Sequence, residues 1–347
     1  MPEVGKPGEL EQRRPPSAPR GQWSRQVAWL LSGASVAFVA PAGAQVGPSS
    51  SPLAAEPAPA LDPASKGTTR GHGSVSVGYQ NTYVNGMLLP AGEAPIGTVR
   101  IQSISLDLTY FFADRWSAQL GIPFIESKYS GPAPHCITQA PPQCAGQVVP
   151  VQPHPESQFL DDGSYHGAWQ DWTLGVAHHG NVDDYLLTPS ITAYLPSHHY
   201  TFFANAAVGQ DLRKLEVAFE LAHQFDFTNV YYRVRAGHVF AERTLGQSID
   251  HNKLDLELGY FLNETWTLKV FGVGKKGSGF TGIYDRTTED WYHHDQRARH
   301  NYANLGAGFD YHFDDKYSLS ATLQRLVWGL AVFDFKYSLD VHLTRQF

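Results

Sequence analysis

The stretch Phe335-Lys-Tyr-Ser-Leu-Asp-Val-His-Leu-Thr-Arg-Gln-Phe347 decides the fold. Every second residue from Phe335 is apolar or aromatic except Arg345, and every second residue from Lys336 is polar. A period of two is that of a β-strand with one apolar and one polar face. A transmembrane barrel needs such a strand at its end, because its first and last strands must pair to leave no edge in lipid. The stretch therefore predicts the closing strand of a barrel.

The composition of the 347-residue chain is typical of such a barrel. Aromatic residues make up 13%, yet no apolar run beyond the N-terminal region approaches the roughly 20 residues that a membrane-spanning helix needs. A barrel strand is apolar on one face only and needs no such run. The net charge is −7, and residues 45–347 contain no Lys/Arg-rich run, so we expect no nucleic-acid partner.

The N-terminal region predicts export. Within residues 1–44, basic residues precede an apolar stretch at 27–39, and small residues at 42–44 offer a cleavage site for a signal peptide, with 40–42 as a competing site. Residues 45–72 are rich in Ala, Pro, Ser and Gly, which predicts a disordered segment. The barrel is assigned to residues 73–347. In an exported protein, Cys136 and Cys144 are expected to form a disulfide that closes a small loop.

A recurring strand–turn–strand pattern gives the strand count. At 110–116, 223–230, 260–266 and 311–317, a strand ends on aromatics, a short Asp- or Asn-containing turn follows, and the next strand begins. Asp and Asn suit such turns because their side chains bond the local backbone. Short and long connections alternate, except for a brief last one, as in outer-membrane barrels. The sequence predicts an all-β, antiparallel, up-and-down transmembrane β-barrel of about 12 strands. The strands are predicted near 74–83, 103–112, 116–124, 168–178, 185–195, 214–225, 230–240, 252–261, 266–274, 302–313, 317–327 and 335–347.

The aromatic residues are predicted to form two girdles at the membrane interfaces. One lies at the short-turn end of the strands and comprises Tyr110, Phe112, Trp116, Phe225, Tyr260, Trp266, Tyr311, Phe313, Tyr317 and Phe347. The other lies at the long-loop end and comprises Trp169, Trp172, Phe240, Tyr302 and Trp328.

A resemblance to known proteins rests on two segments, Trp116-Ser-Ala-Gln-Leu-Gly-Ile-Pro123 and His166-Gly-Ala-Trp-Gln-Asp-Trp-Thr-Leu-Gly175. The chain resembles bacterial outer-membrane barrels and is similar to the putative outer-membrane transporter family linked to meta-cleavage phenol degradation. The resemblance implies passive uptake of small solutes, including aromatic or amphipathic compounds, by a protein that is not an enzyme. Its expected partners are outer-membrane lipid, a small-molecule solute and the barrel-assembly machinery, which would act on the terminal Phe347.

Charged residues on the polar parity of the strands are predicted to line the lumen. From the turn registers we expect Glu220 opposite Arg235 and Glu257 near Lys269. Such residues either fill and stiffen the interior or form a narrow, mixed-charge pathway, since about 8 strands make a filled barrel and about 16 an open one. The candidates are Asp107, Lys214, Glu216, Glu220, Arg233, Arg235, Lys253, Asp255, Glu257 and Lys269.

The sequence offers two alternative functions. An outer-membrane lipid-modifying enzyme would need a Ser beside a His on the membrane face; His238 is the best His, but no matching Ser is found. A structural or adhesive barrel would act through loops such as that of Cys136 and Cys144.

The sixteen histidines include the loop pair His198-His199 and the group Asp290/His293-His294. Adjacent histidines alone do not converge on an ion, so we expect solvated loop histidines, no metal site and no cofactor.

Overall fold

The computed structural model describes residues 70–89, 92–132, 134–135, 154–277, 287–298, 300–330 and 332–347. The predicted signal peptide and nearly all of the predicted disordered segment lie outside these residues, as does the predicted disulfide between Cys136 and Cys144. At the first described residues, Gly71 and His72 already exchange backbone hydrogen bonds with Phe111.

Twelve antiparallel strands form a single closed sheet, which confirms the predicted fold class. Each strand pairs with its neighbours in the sequence, and β1 also pairs with β12. The strand β4 is interrupted twice, and its first two segments pair with β3. The strands are β1 Gly73–Leu89, β2 Gly92–Ala113, β3 Trp116–Ser130, β4 (His166–Trp169, Trp172–His178 and Gly180–Val182), β5 Tyr185–Leu195, β6 Lys214–Gln224, β7 Val230–Ala241, β8 His251–Phe261, β9 Trp266–Gly277, β10 Asn301–His312, β11 Tyr317–Leu330 and β12 Val332–Gln346.

The closing strand β12 behaves as its sequence pattern predicts over most of its length. Its end is joined to β1 by the backbone bonds Phe347 N–H to Gly73 O (2.9 Å) and Gly73 N–H to Phe347 O (3.0 Å). Arg345 faces outward, and its guanidinium carbon lies 5.9 Å from the ring centroid of Tyr317. A cation over an aromatic face is attracted by the ring quadrupole. The outward arginine is thereby accommodated in the aromatic girdle.

The two faces of the sheet have the polarity of a membrane barrel. Large apolar side chains on the outer face are exposed, such as Ile104 and Phe219, each at 58%. Hydroxyl, amide and charged side chains on the inner face are buried. A soluble fold would bury the apolar side chains, so the outer face suits lipid. Among the described residues, neither short helix, α1 Thr288–Tyr292 nor α2 His294–Arg297, is long and apolar enough to span a bilayer.

Two residues that were predicted to face outward face inward, for different reasons. Phe335 and Tyr302 are 2% and 3% exposed, where the alternation and the girdle assignment had placed them on the lipid face. Tyr302 has the same parity as the inward Asn304 and Asp310 of β10. In β12 the register slips by one residue at Lys336, which turns Phe335 inward. One extra residue reverses which face every later side chain occupies. The other predicted outer-girdle residues, Trp169, Trp172, Phe240 and Trp328, are exposed.

The long-loop end of the barrel differs from the sequence prediction. The strands predicted at 74–83 and 103–112, with a loop at 84–97 between them, are too short, because β1 and β2 continue as a paired hairpin to Leu89 and from Gly92. Pairing continues past a register shift between Asn85 and Met87, which the side-chain alternation does not reveal. Likewise β3 runs on to Ser130 rather than ending near Phe124.

The connection at 196–213 folds over the outer end of the barrel and packs against α1. Its Phe202 and Phe203 are 3% and 2% exposed and cluster with Tyr292 of α1. We call residues 196–213, α1 and α2 the cap.

Beneath the cap the barrel interior is apolar, and three residues of the cap pack with it. We call these buried residues the upper cluster: Val84, Val99, Ile101, Ile125, Tyr129, Tyr200, Ala206, Val208, Phe271, Val273, Tyr302, Leu326, Val332, Phe333 and Phe335.

Candidate transport pathway inside the barrel

The inner wall of the barrel has a charged sector and a neutral polar sector. All ten predicted lumen residues lie on the inner, largely buried face of the sheet. Nine of them are on β6 to β9 and belong to the charged sector: Lys214, Glu216, Glu220, Arg233, Arg235, Lys253, Asp255, Glu257 and Lys269. The tenth, Asp107 on β2, lies in the neutral sector and accepts a hydrogen bond of 2.9 Å from Ser105 Oγ.

Glu216 is the centre of the first ion cluster. Its Oε1 lies 2.9 Å from Arg235 Nη1, and its Oε2 lies 3.2 Å from Lys253 Nζ. Tyr194 from β5 donates its hydroxyl to Oε2 at 2.8 Å. Buried charges remain ionised when they are paired and hydrogen-bonded in this way. Four strands, β5 to β8, are thereby joined across the wall.

A second cluster lies beside it, around Glu257. Arg233 Nη2 is 3.0 Å from Glu257 Oε2, and Tyr231 donates its hydroxyl to Oε1 at 2.9 Å. The Tyr231 ring covers Gly259, where an added Cβ would lie only 2.0 Å from a ring carbon. The glycine therefore provides the space that lets the tyrosine lie along the wall and reach the carboxylate.

The third ion pair joins Lys269 of β9 to Asp310 of β10. Lys269 Nζ is 2.6 Å from Asp310 Oδ1 and 3.3 Å from Ser320 Oγ of β11. The side chains of Lys269 and Asp310 are 0% and 1% exposed. Gly308 stands opposite Lys269 in the register, and Asp310 stands two residues further along the same strand. The charged sector therefore extends to β10.

The residues expected to be neighbours across the strands are not the partners in the shortest ion pairs. Glu220 does stand opposite Arg235 in the register, but the short ion pair of Arg235 is with Glu216. Gly259, not Glu257, stands opposite Lys269. Long side chains on a sheet reach diagonal neighbours as easily as opposite ones. Turn registers therefore predict neighbours but not bonded partners.

Three residues of the wall were missed from the sequence, namely Tyr194, Tyr231 and Asp310. Each occupies the inner parity of its strand. The signal was present, because Tyr231 alternates with Arg233 and Arg235 on one face of β7. The predicted lumen residues were all charged, so the two tyrosines were not considered, although parity places both on the inner face.

The neutral sector on β1, β2, β11 and β12 is held by short polar side chains. Gln80 Nε2 donates to Asp340 Oδ1 at 2.5 Å, and Thr82 Oγ1 lies 2.7 Å from Ser338 Oγ. Thr344 Oγ1 donates to Ser76 Oγ at 3.0 Å. This side of the wall is lined mainly by hydroxyl and amide groups, which hydrogen-bond the carboxyl groups of Asp107 and Asp340.

Asp161 anchors the cap over the barrel mouth. Its Oδ1 accepts the backbone N–H of Ala206 at 2.8 Å, and its Oδ2 accepts Asn205 Nδ2 at 2.8 Å and the backbone N–H of His135 at 2.7 Å. Burial alone would raise the pKa of Asp161, but bonds and charge from His135 and the bond from Ala206 lower it. A charged acceptor thus fixes the connection at 196–213.

Tyr200 connects the cap to the charged sector below it. Its hydroxyl donates to Asp171 Oδ1 at 2.5 Å, and Asp171 Oδ2 lies 4.0 Å from Lys214 Nζ. Burial and the Asp171 carboxylate raise the pKa of Tyr200 well above its ordinary value. The phenol therefore stays neutral and remains a donor.

The histidines singled out in the sequence have ordinary polar partners. His238 Nδ1 lies 2.8 Å from Asn252 Oδ1, and its register partners are Val217 and Asn252, so neither is the Ser that a hydrolase would need. His198 Nδ1 lies 2.8 Å from Ser197 Oγ, whereas His199 pairs with the Asp211 carboxylate. The pair His198-His199 therefore does not converge on one point.

Comparison with known proteins supports the fold. No protein-family model matches the sequence, and no curated protein matches it. The structure is similar to the COG4313 outer membrane channel from Pseudomonas putida F1, with a TM-score of 0.60 and 13% identity over 80% of this chain and 96% of that chain. It also matches the NanC porin (TM-score 0.44, 9% identity, 79% and 98% of the two chains) and the CymD monoaromatic hydrocarbon channel (0.37, 10%, 80% and 89%). The last two likenesses are too distant to bear on function. The chain has the fold of an outer-membrane β-barrel.

Proposed function

We propose that this protein lies in the bacterial outer membrane and gives passive passage to small solutes, including aromatic and amphipathic compounds. One observation carries the proposal: a closed barrel with a lipid-type outer face has an inner wall whose polarity changes from apolar under the cap to charged further down. Such a wall suits a solute with an apolar body and a polar group.

The inner wall supports a narrow path rather than a wide pore. Twelve strands lie between filled barrels of about 8 strands and open ones of about 16. The charged side chains bond to one another along the wall, as Glu216 does with Arg235 and Lys253. Their charges are thereby balanced, so a solute meets fixed dipoles and ion pairs rather than one strong field. The charged and neutral sectors face each other across this path.

The position of the cap supports a role in controlling solute passage at the outer mouth of the barrel. Because Asp161 holds Asn205 and Ala206 through an ionised acceptor, its removal should loosen the connection at 196–213. Hydrogen bonds to a charged group contribute roughly 1.5–3 kcal/mol each. We therefore expect the variant Asp161→Ala to let the cap open more often without unfolding the barrel.

Liposome swelling tests the proposal. Proteoliposomes with the full chain should admit a small aromatic carboxylate faster than a neutral disaccharide, and Asp161→Ala should admit both faster than the wild type. Asp162→Ala is the matched control, because Asp162 is exposed and bonds only locally, to Ser164 and His166. Swelling no faster than that of protein-free liposomes, in the wild type and in Asp161→Ala alike, would refute passage.

Membrane lipid and the barrel-assembly machinery are the remaining proposed partners. The exposed apolar belt and the terminal Phe347, which is 50% exposed, support both. Neither alternative function gains support: His238 bonds to Asn252 rather than to a Ser, and the loop proposed for adhesion lies outside the described residues.

A further inference from the structure

Two outer loops bring three ligand-type side chains together above the upper cluster. His135 follows β3, whereas His294 and Asp295 begin α2, 159 residues further along the chain. His135 Nε2 lies 3.2 Å from His294 Nε2 and 3.4 Å from Asp295 Oδ2. His294 Nε2 is 2.5 Å from Asp295 Oδ1. Two imidazole nitrogens and a carboxylate therefore converge on one point.

Two of the three separations match the ligand spacing of a tetrahedral zinc site, whereas the 2.5 Å between His294 Nε2 and Asp295 Oδ1 is shorter. Zinc lies about 2.0–2.1 Å from imidazole nitrogen, so two nitrogens of a tetrahedron are about 3.3 Å apart. The two Nε2 atoms lie at 3.2 Å. A pair of imidazoles held this close needs either a proton or a cation between them. The three side chains fit three of the four positions, which leaves one for water.

The outer nitrogen of each imidazole lies beside an oxygen. His294 Nδ1 lies 2.7 Å from the carbonyl oxygen of Trp291. His135 Nδ1 lies 3.4 Å from Asp161 Oδ2. A metal-bound histidine usually donates its other N–H to a carbonyl or a carboxylate, which fixes its orientation. The His294 ring shows this arrangement, whereas His135 Nδ1 has a carboxylate beside it without a hydrogen bond.

Asp295 supplies an independent sign of a missing partner. It is 1% exposed, and its Oδ2 accepts no hydrogen bond from any described residue although it points at His135. Burying a carboxylate oxygen without a partner is costly.

Aromatic rings screen the cluster from solvent. Phe203 of the cap meets the His135 ring edge-on at 5.1 Å, and Trp291 stacks on His294 at 4.7 Å and 15°. A low-dielectric surrounding strengthens the attraction between a divalent cation and the carboxylate. The neighbouring His293 turns away, with Nδ1 at 2.6 Å from Gln296 Oε1.

We propose that His135, His294 and Asp295 bind one divalent transition-metal ion of the zinc class, with Asp161 orienting His135. The ion ties the loop after β3 to α2 and so fastens the cap from a second direction. Adjacent histidines in the sequence indicated solvated loop residues, whereas this site takes one histidine from each of two distant loops. The proposal is independent of which solute the barrel passes.

Zinc retention by the full chain in detergent tests the site. After equilibration with Zn²⁺ and dialysis, the wild type should retain about one zinc per chain more than the variant His294→Ala/Asp295→Asn. Each single variant, His294→Gln or Asp295→Asn, should lower zinc affinity by more than the about 10–100-fold that loss of an outer-shell partner costs. All ligands lie outside the strands, so heat-dependent gel migration should report a folded barrel in every variant.

The double variant His198→Ala/His199→Ala is the matched control, because both residues are exposed cap histidines outside the cluster. It should retain zinc as the wild type does. Equal retention by the wild type and His294→Ala/Asp295→Asn would overturn the proposal and leave a protonated His135 paired with Asp295. Loss of zinc in the His198→Ala/His199→Ala control alone would also overturn it, since surface histidines would then hold the metal.

Discussion

Replacing Lys269 by methionine should destabilise the folded barrel by about 3–5 kcal/mol, because the change leaves Asp310 buried without its cation. The magnitude follows from the geometry: Nζ and Oδ1 are 2.6 Å apart, and both side chains are at most 1% exposed. Ser320 Oγ, which accepts from Lys269 Nζ at 3.3 Å, loses the same donor. Equilibrium unfolding in urea, followed by tryptophan fluorescence in bilayers, measures the free energy of unfolding.

A double variant tests whether the loss of stability comes from the unpaired charge of Asp310. Lys269→Met/Asp310→Asn removes both charges and should recover all but about 1 kcal/mol, since replacing a whole buried pair is often neutral. Lys316→Met is the matched control in an exposed turn and should cost less than about 0.5 kcal/mol. A cost below about 1 kcal/mol for Lys269→Met would refute the reasoning, because it would mean that water reaches Asp310 and that the wall is not packed there.

Two further predictions test other parts of the wall. Gly259→Ala should cost about 1–3 kcal/mol in the same unfolding assay, because the new methyl displaces the Tyr231 ring. Gly272→Ala should cost less, because its Cβ would lie at an ordinary contact distance of 3.6 Å from the backbone oxygen of Asn304; equal costs would contradict the close packing. Glu216→Gln should shift the reversal potential of bilayer currents toward anions, because Arg235 and Lys253 lose their shared carboxylate. Asp226→Asn, in an exposed turn, should leave the reversal potential unchanged, and an equal shift in both variants would contradict a role for the wall.

The strand order and the two faces could be predicted from the sequence because both rest on local signals. The period of two in β12 and the aromatic-Asp turn at 311–317 each need only a few consecutive residues. The same signals fail where one residue is inserted into a ladder, as at Lys336, since a bulge changes parity without changing composition. Phe335 was therefore assigned to the wrong face.

The cap and the cluster above the barrel could not be predicted in the same way. The contact between His135 and His294 joins residues far apart in the chain, and its existence depends on how two loops fold together. Likewise Asp310 is the partner of Lys269 because of diagonal reach across the sheet, which pairing rules alone do not give. Sequence periodicity identifies which side chains face inward, whereas their bonds depend on side-chain length and on the neighbouring strand.

Single-channel recording in planar bilayers tests the central claim most directly. The purified full chain should give small, discrete current steps, and Asp161→Ala should raise the fraction of time spent in the conducting state, with Asp162→Ala matching the wild type. Correctly folded protein that gives no steps in the wild type or in Asp161→Ala would contradict a solute path through this barrel.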